Sequence, residues 1–164
     1  MRTFLLALMI GMMVSSLQAG PANVRTVQPQ LALHNSEAGQ WYEVTAQWNA
    51  ADFSNRRLVA SRLSFDADLP AATTLELWVA ENNEVLPWAE VGALPVDQWT
   101  MDARTETFVR FNLQSALSKV LSNGQNRLVL YIRVNEHQDQ DVTLSLGQIS
   151  DLALDVHHRP QIVD

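Results

Sequence analysis

Apolar and polar residues alternate along most of the chain, in short segments separated by turn-forming residues. The clearest alternation is at 73–80, where Leu75 and Leu77 fall on one face and Glu76 and Trp78 fall on the other. A period of two residues is typical of a strand with one buried face. The predicted strands are 31–34, 41–48, 57–65, 73–80, 106–111, 128–134, 142–146 and 152–156.

One segment has helical spacing instead. Its apolar positions are Leu113, Ala116, Leu117, Val120 and Leu121. Asn112 precedes them as a candidate cap, and Gly124 is placed to end the helix. The pattern predicts one short amphipathic helix.

The remaining segments have no sustained period. Residues 20–30 contain two prolines and are predicted to be a flexible N-terminal segment, and residues 159–164 are predicted to be a C-terminal tail. Residues 85–104 contain Pro87, Pro95, Trp88 and Trp99, and we expect a long ordered loop with short strand pieces. Long ordered loops often carry function.

Many short strands with a single helix are typical of an all-β fold. We predict one domain over 31–158, an antiparallel, jelly-roll-like β-sandwich, with a closed barrel as the alternative. A chain of about 145 residues can bury roughly two-thirds of its unfolded surface, which is enough for one self-sufficient core.

The N-terminus has the pattern of an export signal. Met1 and Arg2 precede an apolar stretch at 4–14 that is short for a membrane-spanning helix. Ala19 is the best candidate for the last residue of a signal peptide over 1–19, and an uncleaved anchor is the alternative. We therefore expect an exported protein, either periplasmic or extracellular, with no membrane span in the mature chain.

Composition narrows the choice of partners. The formal net charge is −7, and removal of 1–19, which holds one Arg and no acid, makes it −8. Lys119 is the only lysine and the arginines are scattered, so nucleic acid is not an expected partner. The absence of cysteine excludes disulfides and a thiol nucleophile. We expect a monomer.

Three stretches resemble the DNRLRE-type domain, a family of carbohydrate-binding modules with a β-sandwich fold. The stretches are Leu63-Ser64-Phe65-Asp66 with Leu69-Pro70 and the strand 72–79, then 108–121 with Gly124 and 126–134, and finally 152–156. The similarity covers about residues 55–158. It implies an extracellular role in binding a polysaccharide.

Candidate ligand contacts lie on the polar faces of the predicted strands. Sugar rings have apolar faces that stack on aromatic side chains, and neighbouring polar groups bind their hydroxyls. The candidates are Trp78, Tyr131, Arg133 and, more weakly, Trp41. The alternative is that these rings are buried under the long loop or against the other sheet, where an aromatic side chain removes roughly 150–250 Å² from water. Packing is also the favoured interpretation for Trp88 and Trp99.

Catalytic and metal-binding motifs are weak. No nucleophile elbow, His-Glu-x-x-His helix or phosphate-binding Gly loop occurs, and we expect no enzyme activity. His157 and His158 are adjacent on a strand and point to opposite faces. Glu136, Asp139 and Asp141 could offer oxygens to Ca²⁺, but an acidic turn is the favoured interpretation, so no cofactor is predicted.

The alternative function is a structural or protein-interaction module of the cell envelope or extracellular matrix, contacting protein through a sheet edge or the apolar loop.

Overall fold

A computed structural model describes residues 21–37, 39–80, 86–101, 106–135 and 143–161. These residues form two antiparallel sheets and one α-helix. In order along the sheet, the four-stranded sheet contains β1 (Asn23–Val27), β9 (Ile149–Pro160), β4 (Arg56–Asp68) and β7 (Glu106–Asn112). The five-stranded sheet contains β2 (Gln30–Ser36), β3 (Gly39–Gln47), β8 (Arg127–Asn135), β5 (Thr74–Val79) and β6 (Asp97–Thr100). The predicted all-β sandwich with one short helix is confirmed.

The two sheets pack through the apolar faces that the alternation predicted. From the four-stranded sheet, Leu63, Phe65 and Phe111 are fully buried. From the five-stranded sheet, Leu77 and Ile132 are fully buried against them in a single hydrophobic cluster. The register of β7 settles an orientation that the sequence left ambiguous, because Val109 and Phe111 point inward and Phe108 and Arg110 point outward.

The helix α1 (Gln114–Ser122) closes one end of this core. Leu117 and Val120 are its buried residues. Leu113, and not the expected Asn112, is the N-cap residue, but the Asn112 side chain still accepts a hydrogen bond from the Gln114 backbone N–H at 3.0 Å. Gly124 follows the helix with φ of +68°, a left-handed conformation in which glycine avoids the steric strain of a Cβ.

Two expectations at the ends of the chain were wrong. Residues 20–30 are not all a flexible segment, because β1 pairs with β9 from Asn23 to Val27 as an exposed edge strand. The tail expected at 159–164 does not begin at Arg159, since β9 runs to Pro160. β1 is held by hydrogen bonds to β9, and the end of β9 is held by hydrogen bonds to β4. The local sequence pattern does not predict such long-range pairing.

The strand predicted at 142–146 is also wrong within the described residues. Thr143–Ser145 has no strand conformation, and Leu146–Gln148 forms a 3₁₀ turn instead. The Tyr42 hydroxyl lies 2.9 Å from the Ser145 carbonyl oxygen and holds this turn against β3. Leu144 is buried while Leu146 is exposed, whereas in a strand the two side chains would point to the same face. The two-residue spacing of the leucines therefore belongs to a turn here.

Candidate functional site

The predicted contact residues lie together on the outer face of the five-stranded sheet. Directly opposed residues of antiparallel strands point to the same face. Trp41 on β3 opposes Arg133 on β8, and Arg133 in turn opposes Glu76 on β5. In the next row, Tyr131 on β8 opposes Trp78 on β5. The prediction that these four side chains share one surface agrees with this register.

A loop covers that surface. The short 3₁₀ helix Pro87–Ala89 places the Trp88 ring against three rings of the sheet, with edge-to-face geometry throughout. The Trp88 centroid lies 5.6 Å from that of Trp41, 6.1 Å from Trp78 and 6.0 Å from Tyr131. Trp41, Trp78 and Tyr131 are only 8%, 5% and 8% exposed. The four rings, here called the aromatic cluster, therefore form a small second core, which is the packing alternative that the sequence left open.

Glu76 organises the polar groups around this cluster. Its carboxylate is buried and accepts hydrogen bonds from Trp78 Nε1 at 3.2 Å, Gln98 Nε2 at 3.3 Å and Asn135 Nδ2 at 2.9 Å. Arg133 NH1 lies 3.7 Å from the same carboxylate, and its guanidinium lies 5.6 Å from the centre of the Trp88 ring. Glu76 thus fixes the Trp78 ring directly and, through Arg133, the position of Trp88.

His34 and Glu43 border the other side of the cluster. The His34 ring stacks on Trp41 with 5.4 Å between centroids and 7° between planes. His34 Nε2 lies 2.9 Å from Glu43 Oε2, and Thr45 Oγ1 donates to Glu43 Oε1 at 3.2 Å. Trp41 is thereby held between His34 on one side and the rings of the cluster on the other.

Two depressions flank the covering loop. The smaller, here called the Trp41 pocket, has a volume of about 310 Å³. It is lined by His34, Trp41, Glu43, Leu86, Arg127, Val129 and Tyr131. The larger, here called the α1 groove, has a volume of about 940 Å³ and runs between the loop and α1. Arg127 and Val129 line both depressions, so the two adjoin.

The Trp41 pocket combines apolar ring surface with hydrogen-bond donors and acceptors. Burial raises the pKa of the Tyr131 phenol, and the Glu43 carboxylate raises it further, so this hydroxyl stays protonated and available as a donor. Trp41 Nε1 is buried and has no hydrogen-bond partner among the described residues. The pocket therefore offers donors, a carboxylate acceptor and the guanidinium of Arg127 around two aromatic edges.

The structure shows no metal centre in the part of the chain that it describes. No group of three or more His, Asp or Glu side chains in the described ranges is placed to hold an ion. His158 is buried and His157 points to the opposite face. Glu136, Asp139 and Asp141 lie outside the described residues. Nor is any helix among the described residues both long enough and apolar enough to cross a membrane.

Five residues of the Trp41 pocket were not singled out in the sequence, namely His34, Glu43, Leu86, Arg127 and Val129. His34 and Leu86 line the Trp41 pocket, and Arg127 joins it to the α1 groove. His34 had a local signal, because it ends a predicted strand that pairs with β3 directly opposite Trp41. Arg127 had one as well, because it directly precedes the strand predicted at 128–134 and shares a face with Tyr131 and Arg133 by two-residue alternation. Leu86 had none, since its position depends on how the loop folds over the sheet.

Comparison with known proteins adds no relative. No protein-family model matches the chain, and no curated protein matches it. The resemblance to the DNRLRE-type domain therefore stays a prediction from the sequence.

Proposed function

We propose that the protein is an exported, non-catalytic carbohydrate-binding module that takes a saccharide unit in the Trp41 pocket. The export part of the proposal rests on the signal-like pattern of residues 1–19, which lie outside the described residues. The binding part rests on the pocket itself.

The size and lining of the Trp41 pocket suit a small polar ligand with apolar faces. Its volume of about 310 Å³ is at the lower end of the range for small-molecule sites. The Trp41 and Tyr131 rings supply apolar edges, and Glu43, His34 and Arg127 supply hydrogen-bonding groups around them. A sugar ring presents C–H faces to the first kind of group and hydroxyls to the second.

The observation that carries the proposal is the indole N–H of Trp41. A buried donor without a partner costs about 1–3 kcal/mol of stability. Trp41 Nε1 is such a donor among the described residues, and its side chain lines the pocket. Because Nε1 itself is buried, a hydroxyl oxygen of a bound saccharide would supply the acceptor only after the side chains around it shift, and binding would then recover part of that free energy.

The other predicted contacts take different roles in this proposal. Trp78 lines the α1 groove, where a longer glycan would continue past Arg127. Arg133 lies over Trp88 and close to Glu76, so it positions the covering loop and lines neither depression. Trp41 and Tyr131 become the principal contacts.

A glycan array followed by titration calorimetry with the best ligand tests the proposal. We expect saturable binding by the native protein and a loss of affinity of about tenfold or more in Trp41→Phe, which removes the N–H and keeps a ring. Trp48→Phe is the matched control, because Trp48 is also buried but packs on Phe53 in the main core. Absence of saturable binding, or equal affinity in Trp41→Phe and the native protein, would refute the proposal.

The second candidate is a protein-interaction module, and one observation favours it. Val91 and Leu94, on the loop beside the α1 groove, are 106% and 84% exposed. Exposed apolar side chains next to a groove often mark protein contacts. This alternative predicts no saturable binding to any glycan, so the same array separates the two functions.

A further inference from the structure

The covering loop ends in an exposed apolar segment, residues 90–96, here called the loop tip. Among the described residues, six large apolar side chains are exposed, and three of them, Val91, Leu94 and Val96, belong to this tip. Val91 and Leu94 are scarcely covered by the rest of the chain. Apolar side chains concentrated in this way commonly mark a contact with another molecule.

Backbone hydrogen bonds fix the loop tip. The Ala93 N–H donates to the Glu90 carbonyl oxygen at 3.2 Å and closes a turn. The Val96 N–H donates to the Leu77 carbonyl oxygen on β5 at 2.7 Å. The exposed side chains therefore project from a backbone that is already ordered, which lowers the entropic cost of burying them in a complex.

The α1 groove lies directly beside the loop tip. Leu94 and Val96 form part of one wall, and α1 with the start of β8 forms the other. Apolar side chains also line the groove, namely Val79, Ala116, Val120 and Val129. Its volume of about 940 Å³ leaves room for the side chains of a second tip. An apolar projection and an apolar groove thus lie next to each other on one surface.

The two walls of the groove carry opposite charges. Residues 86–101 contain two acids and no base, and residues 113–128 contain two bases and no acid. The acid Asp97 accepts hydrogen bonds from backbone N–H groups of β6 and β7, whereas Glu90 is exposed on the tip. Arg127 is exposed on the opposite wall, and no ion pair joins it to Glu90 within the described ranges.

We propose that two copies of this chain associate about a two-fold axis, with the loop tip of each copy in the α1 groove of the other. Because tip and groove share one surface, a single two-fold rotation makes both contacts, as in isologous dimers. The same rotation brings Glu90 of each copy to Arg127 of the other. We expect a weak dimer, since a short loop in a groove is a small interface.

This association does not depend on the sugar binding proposed for the Trp41 pocket. A glycan long enough to extend from that pocket into the α1 groove would compete with the second copy, because both would occupy the same space.

Sedimentation equilibrium of the full-length protein from about 1 µM to about 1 mM tests the association. We expect a monomer–dimer equilibrium. Leu94→Ser should raise its dissociation constant about tenfold or more, since each substitution acts twice in a two-fold dimer. Leu146→Ser is the matched control and should behave as the native protein, because Leu146 is also exposed but lies in a turn that does not line the groove.

Two charge reversals test which residues meet. Glu90→Arg and Arg127→Glu should each weaken the dimer, because both contacts would then join like charges. An equimolar mixture of the two variants should dimerise as the native protein does, since both contacts of a mixed dimer join opposite charges. An ion pair within one copy cannot produce this restoration.

Several outcomes would overturn the proposal. One is a single species of monomer mass over the whole concentration range. Another is equal dissociation constants for Leu94→Ser and the native protein, which would assign the association to another surface, such as the apolar residues 4–14. A mixture of the charge variants that dimerises as weakly as each alone would exclude the contact between Glu90 and Arg127. Circular dichroism checks the fold of each variant, and Trp41→Phe, which tests the sugar site, should dimerise normally.

Discussion

Glu76 is a buried carboxylate that three side-chain donors and one guanidinium approach from different directions. Glu76→Ala should lower the free energy of unfolding by about 3 kcal/mol, because it leaves the Trp78, Gln98 and Asn135 donors without their acceptor. Glu76→Gln should cost less, since one oxygen remains to accept. Urea denaturation at neutral pH measures both changes.

The control for Glu76 is Glu90→Ala, which removes an exposed carboxylate from the covering loop. Its free energy of unfolding should stay within about 0.5 kcal/mol of the native value. If Glu76→Ala were equally mild, the polar network would contribute nothing to stability, and the position of Trp88 would have to depend on ring packing alone.

His158 makes stability depend on pH in the acidic range. Burial lowers the pKa of His158 below its usual 6.5, and the positive charges of Arg56 and Arg25 lower it further. The unfolded chain therefore takes up a proton more readily than the folded one, so the contribution of His158 is present above pH 6.5 and is lost as the pH falls through the folded pKa.

We expect the free energy of unfolding of His158→Gln to fall less steeply than that of the native protein between about pH 7 and pH 5. His157→Gln, the neighbour on the opposite face, is the control and should keep the native dependence. Urea denaturation at several pH values gives both slopes, and parallel curves for the native protein and His158→Gln would contradict this role.

At the scale of the element, the loop with the 3₁₀ helix Pro87–Ala89 decides how accessible the aromatic cluster is. Trp88→Ala should increase the quenching of tryptophan fluorescence by acrylamide, because Trp41 and Trp78 lose the ring that covers them. Far-UV circular dichroism should stay native, since the main core does not include Trp88. Unchanged quenching would mean that the rest of the loop shields the rings without it.

The 3₁₀ turn Leu146–Gln148 depends on β3 through Tyr42. Burial raises the pKa of the Tyr42 phenol to about 12 and a hydrogen bond to Ser145 lowers it, with burial the larger effect. The unfolded chain loses this proton near pH 10, so the contribution of Tyr42 is complete below pH 10 and is lost as the pH rises toward 12. Tyr42→Phe should flatten the fall in unfolding free energy over that range, and urea denaturation at pH 9, 10 and about 11 measures it.

Local pattern predicted the elements whose faces differ in polarity. The alternation at 73–80 and the helical spacing from Leu113 to Leu121 gave β5 and α1, with bounds accurate to a few residues. It missed β1, whose residues are exposed up to Val27 and which forms through hydrogen bonds to β9. It also placed a strand at 142–146, where Leu144 and Leu146 alternate inside a turn.

In the candidate site, too, the local pattern predicted the strand residues and missed the contacts made by the loop. Period two was enough to place Trp41, Trp78, Tyr131 and Arg133 on one face, because each belongs to a strand with a clear inner face. Their exposure was beyond such reasoning, since it depends on Trp88, which reaches the sheet from a loop without periodicity. Side chains within strands were predictable, and contacts made by loops were not.

At the scale of the whole molecule, two hydrophobic clusters lie on opposite faces of one sheet. The larger fills the space between the sheets and includes residues of both, and the smaller is the aromatic cluster under the loop. Because the five-stranded sheet belongs to both clusters, we expect one cooperative unfolding transition. The midpoints measured by far-UV circular dichroism and by tryptophan fluorescence should coincide.

Two phenylalanines of the four-stranded sheet test where this cooperative stability originates. Phe65 is fully buried between the sheets, whereas Phe108, on the adjacent strand, points outward. Phe65→Ala should lower the free energy of unfolding by about 3–5 kcal/mol, because it removes buried ring surface and leaves a cavity. Phe108→Ala should cost less than about 1 kcal/mol. Similar losses in the two variants would mean that the outer face of the four-stranded sheet is buried in solution, by another part of the protein or by a second copy.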